Sequence, residues 1–134
     1  MTVSADLQGY AITTLKAAAA VTGIVSQRID NRAVPGPDYP LPYVVVLVND
    51  GQEDDAECIT GTVFNVEVHC WGDNGPTQVL LLADAVKKAL HKTSSELATG
   101  ALVDLWFDAV LNVGDPDPNI HHRVVRFSAI VEEM

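Results

Sequence analysis

"TGTVFNVEVHCWGDNGP", residues 60–76, holds the step on which the fold of this chain turns. Over Thr60–Trp71 the side chains alternate, with Phe64, Val66, Val68 and Cys70 on one face and Asn65, Glu67, His69 and Trp71 on the other. Successive strand residues point to opposite faces, so this period of two predicts a half-buried β-strand with one core face and one wetter face. "GDNG" then turns the chain, and Pro76 suits the first position of a helix. The same geometry bears on the most reactive-looking cluster in the sequence, His69, Cys70 and Asp73 within five positions. If residues 60–71 form a strand, His69 and Cys70 diverge and cannot jointly bind a metal or pass a proton. Cys70 continues the apolar face, and free cysteine is among the residues most often fully buried, so a structural role is expected. A nucleophile would need Cys70 exposed in an electropositive pocket.

Upstream, "YVVVLV", Tyr43–Val48, is β-branched and aromatic without polar alternation, as expected of a central strand covered on both faces. "NDGQEDDAE", Asn49–Glu57, carries turn chemistry and closely spaced carboxylates, and reads as a solvated loop between the two strands. From Ser4 to about Val21 the residues Leu7, Ile12, Leu15 and Ala19 recur at helical spacing, with Ser4 placed to cap the helix and Gly23 to end it. Between that helix and Tyr43 lie a short strand at Val25–Ile29 and prolines 35, 37, 40 and 42, which forbid continuous helix or central strand.

Downstream, Val79, Leu82, Ala83, Val86 and Leu90 form a stripe on one side of a helix, and Lys87, Lys88, His91 and Lys92 gather at its C-terminal end, where the dipole favours positive charge. "ALVDLWFDAVLNV" places Val103, Leu105, Phe107, Ala109 and Leu111 on one strand face. After the "GDPDPN" break, "IHHRVVRFSAIVEE" alternates again, with Val125, Phe127, Ala129 and Val131 inward and Val124, Arg126, Ser128 and Ile130 outward. These last two strands read as an antiparallel pair. The whole predicts an α+β fold: one mainly antiparallel sheet of four to five strands with two helices packed on one face, a single domain over residues 1–134.

Composition excludes several functions. A chain of 134 residues, 48% hydrophobic and 19% charged, builds a core without staples. Its formal charge of -10 opposes a phosphate-based grip on nucleic acid, which depends on Lys and Arg displacing counterions. Two cysteines, Cys58 and Cys70, are too few for a disulfide framework or a four-cysteine zinc site, and read as free thiols in a reducing compartment. The N-terminal segment ends in small residues as a signal peptide does, yet carries Asp6, Gln8 and Lys16 where a signal peptide is apolar. No apolar run approaches the length needed to span a membrane. The expectation is a cytosolic chain.

No catalytic signature emerges. His121 and His122 are strand neighbours and diverge, and His91 is explained by its helix end alone. HExxH, a phosphate-binding glycine loop and GxSxG are all missing from the sequence. "DDAE" and "GDPDPN" lack the alternating ligands and closing glutamate of a calcium loop. Neither cofactor nor metal is expected.

A leading helix, then "RIDNRAVPGPDYPLPYVVV", a strand ending "VEVHCWGD", a helix ending "VKKALH" and paired strands ending "HHRVVRFSAIV" together give a pattern that resembles the tail-completion, or tail-terminator, family of long-tailed bacteriophages, prophages and gene-transfer particles. The likeness runs from about Leu7 to Val131; the cysteine in "VHCW" and the acidic "GQEDDAE" loop depart from it. The resemblance implies a non-enzymatic virion protein, made in the host cytoplasm, that forms a hexameric ring at the head-proximal end of the tail. That homo-oligomer would cap the tail tube protein and meet the head-completion or connector protein, with DNA passing through and no membrane involved. Ring closure needs a heterologous interface. Trp71, Trp106, Val124 and Ile130 are candidates for it, if the helices leave that face open. Glu53, Asp54, Asp55 and Glu57 are candidates for a channel lining or partner loop; solubility accounts for them equally. Other readings are a different connector or tube subunit, or a small ligand-binding or enzymatic domain.

Overall fold

The strand with the cleanest alternation lies at the middle of the sheet. In the computed structural model of the chain, which describes residues 3–31, 40–54 and 61–133, the elements run α1 (Val3–Ala17), α2 (Ala19–Val25), β1 (Ile29–Asp30), β2 (Tyr43–Asp54), β3 (Gly61–Gly72), α3 (Gly75–Leu90), β4 (Thr93–Leu97), β5 (Gly100–Val113) and β6 (His121–Glu133). They form one six-stranded sheet in the order β1-β2-β3-β6-β5-β4. Every pairing is antiparallel except β1 with β2. β3 and β6 are central, joined in register from Gly61↔Glu132 to Gly72↔His121.

The α+β class stands, and the element counts are corrected: among the described residues there are six strands rather than four to five, and three helices rather than two. The leading helix breaks at Ala18, whose ψ of 111° is extended, and resumes as α2. Gly23 lies inside α2; the helix ends at Ser26, with a φ of 57°. The expected strand at Val25–Ile29 is only Ile29–Asp30. The strand that sequence periodicity missed, β4, reads "TSSEL" and alternates between half-buried and exposed. Such polar sequence blunts a sheet edge. β2 sits one place in from the edge rather than at the centre, paired on its outer side only through Val44 and Val45.

All three helices contribute to one core on one side of the sheet. Leu7, Ala11 and Leu15 of α1, Val21 and Val25 of α2, and Leu82, Val86 and Leu90 of α3 cluster with Val44, Val46, Val66, Val68, Cys70, Leu105, Val125, Phe127, Ala129 and Val131. The inward faces expected of β3, β6 and α3 are therefore the observed ones. Each fully buried aliphatic or aromatic side chain stabilises the fold by about 1.5–3 kcal/mol relative to exposure.

β5 departs from simple alternation. Register shifts at Leu102/Asp104 and Phe107/Ala109 each insert a residue, so Leu102 and Val110 join Leu105 and Phe107 on the inner face by pairing with Val131 and Val125. Val103 and Leu111, expected on one face with Leu105 and Phe107, are exposed. A bulge flips the alternation beyond it, and nothing in the local pattern marks where one falls.

Candidate functional site

The face of the sheet opposite the helices carries the polar and aromatic side chains, and the register arranges them in rows. One row is Tyr43, Trp71, His122 and Val113; the next is Val45, His69, Val124 and Leu111; a third is Leu47, Glu67, Arg126 and Ala109. Each residue arrives there because it occupies the outward phase of a strand whose other phase is core. His69 and Trp71 thus share a face, and Cys70 takes the other.

Side chains on this face bind one another. Trp71 stacks on His122 with centroids 4.1 Å apart and 16° between planes, and Tyr43 lies 5.0 Å from Trp71. His69 Nδ1 and His122 Nε2 are 2.9 Å apart, one ring donating and the other accepting according to tautomer. Glu67 links His69, at 3.5 Å, to Arg126, at 3.4 Å. Among the described residues His69 Nε2 is buried without a hydrogen-bond partner. Burial, and then the neighbouring His69, push His122 down to about 4, against the pull of Asp115. Val45 and Val124 are buried although neither belongs to the helix-side core. They flank His69 in its row, so this face has a small packed centre of its own.

The four interface candidates divide. Trp106 is 48% exposed and Ile130 41%, whereas Val124 is buried at 4% and Trp71 is half-buried between Tyr43 and His122. Glu53 and Asp54 fall at the end of β2; Asp55, Glu57 and Cys58 lie outside the described residues.

Cys70 is fully buried, and burial pushes its thiol up to about 12. A thiol held protonated on the core face is no nucleophile. His121 pairs with Gly72 at the strand ends, away from the His69–His122 contact. His91 does more than end a helix: its Nδ1 accepts the Phe107 N–H at 3.0 Å, and its ring meets Trp106 edge-on at 5.0 Å. Among the described residues no group of three or more His, Cys, Asp or Glu side chains is arranged to hold a metal ion, and no helix is long and apolar enough to cross a membrane.

One surface escaped the sequence reading. Leu80 and Leu81 on α3 are 45% and 59% exposed. Leu80 opens a groove of about 200 Å³ between α3 and β5, with Phe107 and Val110 on its floor and Lys87 and Arg123 beside them. The signal was present in the run Leu80–Leu82, because three consecutive leucines cannot all enter the one face that a helix buries.

Comparison with known proteins bears on this geometry. A chain from the virion of a native gene transfer agent particle superposes with a TM-score of 0.86 at 25% identity, covering 98% of both chains. A second solved structure shares the fold at a TM-score of 0.51 and 12% identity, covering 99% of this chain and 97% of its own. No curated protein matches the sequence. The family model described as tail completion protein gp17 matches residues 11–132, nearly the whole chain. The chain belongs to the tail completion protein gp17 family.

Proposed function

We propose that this chain is a structural tail-completion subunit that forms a hexameric ring, caps the tail tube and joins it to the head connector of a phage or phage-derived particle. The observation that carries the reading is the end-to-end likeness to a chain of a gene transfer agent virion, with 98% of each chain covered. A face of the sheet without a helix suits a protein that completes its surface against other subunits. Trp106 and Ile130, exposed on that face, are the residues proposed to meet a neighbour.

The acidic balance has a use in such a ring. Glu53, Asp54, Asp55 and Glu57 are proposed to line the channel or to meet a partner, since carboxylates repel passing phosphate within a Debye length of roughly 8–10 Å. Sedimentation of the purified chain, followed by electron microscopy of particles labelled on it, tests the reading. Label at the head-proximal end of the tail supports it. Label along the tube would make the chain a tube subunit, and a monomer that never enters particles would sink the role.

A further inference from the structure

The charge of this molecule is unevenly placed. Of its eight Lys and Arg residues, Lys87 and Arg123 border the α3–β5 groove, Lys88 lies one residue along α3, and Lys92 reaches over the Trp106 ring at 5.3 Å. Lys87 stands over Phe107, with Nζ 4.3 Å from the ring centroid. Asp84, the groove's acid, is already paired with Lys88 at 2.9 Å. An apolar floor with unspent cations at its border is a receptor for a segment that is acidic and interspersed with small apolar residues.

The chain carries such a segment. Residues 50–57, "DGQEDDAE", hold Asp50, Glu53, Asp54, Asp55 and Glu57, with the small residues Gly51 and Ala56 among them. Its described part, at the end of β2, lies at the far end of the sheet from the groove: the register row through Asp54 runs Gly61, Glu132, Ala101 and Glu96, so the acidic end of β2 aligns with the start of β5. Val110, in the groove, is nine residues further along β5 than Ala101. The paired residues on β6, Glu132 and Val125, are seven apart, which at ~3.3 Å per residue is on the order of 23 Å. This is beyond the screening length, so the two poles do not neutralise each other within one copy. The two also adjoin opposite edges that no strand covers among the described residues: β2 beyond Val46, whose carbonyl accepts from Gln8 Nε2, and β5 beyond Phe107, whose N–H is taken by His91. Complementary patches at opposite edges of one sheet are what a head-to-tail contact between identical subunits requires.

We propose that the α3–β5 groove of one copy receives the acidic segment 50–57 of the next copy. The inference rests on the ring reading and takes the next copy, not the channel, as what the acidic segment meets, a contact additional to the one proposed for Trp106 and Ile130.

The test mixes chains of two isotopic labels, in solution and in assembled particles, and couples amines to carboxylates with a zero-length carbodiimide. Mixed-label cross-links between Lys87, Lys88 or Lys92 and residues 50–57 are expected. Lys87→Glu with Arg123→Glu should weaken self-association at least tenfold with unchanged circular dichroism, and adding Glu53→Lys, Asp54→Lys and Asp55→Lys should restore it. If wild-type rings form but cross-link elsewhere, and the charge reversals associate as wild type does, the groove assignment is overturned and the ring stands. If the chain self-associates neither in solution nor in particles, both fall.

Discussion

His69 Nδ1 lies 2.9 Å from His122 Nε2, joining the two central strands across the face that the helices leave open. One ring donates and the other accepts, so the contact needs at least one neutral imidazole.

This makes stability fall in mild acid. His122 is lowered from 6.5 to about 4 in the folded chain by burial and by His69. Between those values the unfolded chain binds a proton that the folded chain does not, so the contribution is complete above pH 6.5 and is lost as pH falls toward 4. Discounted for solvent screening of a half-buried ring, it amounts to about 1 kcal/mol. Urea unfolding of wild type and His122→Gln between pH 7 and 4.5 checks it: the gap between them should narrow as pH drops, and a constant gap would refute the assignment.

Cys70 should resist labelling. With its thiol pushed up to about 12 and fully buried, a Cys58→Ser chain is expected to react with a thiol reagent at pH 8 only as fast as it unfolds. Rapid native-state modification would return Cys70 to consideration as a nucleophile.

Phe127 and Ile130 lie three residues apart on β6 with opposite fates. Phe127 is fully buried and meets Phe107 edge-on at 6.1 Å, whereas Ile130 is 41% exposed on the other face. Phe127→Ala is expected to destabilise the isolated chain by about 3–5 kcal/mol, and Ile130→Ala by less than ~0.5 kcal/mol. Denaturant midpoints measure both.

Gly72 ends β3 where α3 packs back onto the strand. A Cβ there would meet Gln78 Oε1 and lie 3.0 Å from Val79 Cγ1. Gly72→Ala should cost about 1–3 kcal/mol through overpacking. Shortening the flexible neighbour with Gln78→Ala should recover part of that cost, and thermal melts of the single and double variants supply the comparison.

Much of the secondary structure is written locally. The alternation of Phe64, Val66, Val68 and Cys70 and the stripe Val79, Leu82, Ala83, Val86 and Leu90 predict element type and inward face, and all nine residues are buried. The opposition of His69 to Cys70 follows from the same period of two. Element type and facing depend on neighbours a few residues away, which is why a single sequence carries them. The break at Ala18, the bulges of β5 and the polar edge strand β4 leave no such periodic mark.

Tertiary structure alone decided what meets across strands. That β6 inserts between β3 and β5 brings His122, fifty-three residues away, against His69. The same pairing encloses Val124 on a face with no helix and leaves Trp106 and Ile130 exposed there. It also sets the cations of α3 beside Phe107 and Val110, at the opposite end of β5 from the acidic row. Strand order and register are chosen by the packing of the whole sheet against its helices, a long-range balance that no window of sequence contains.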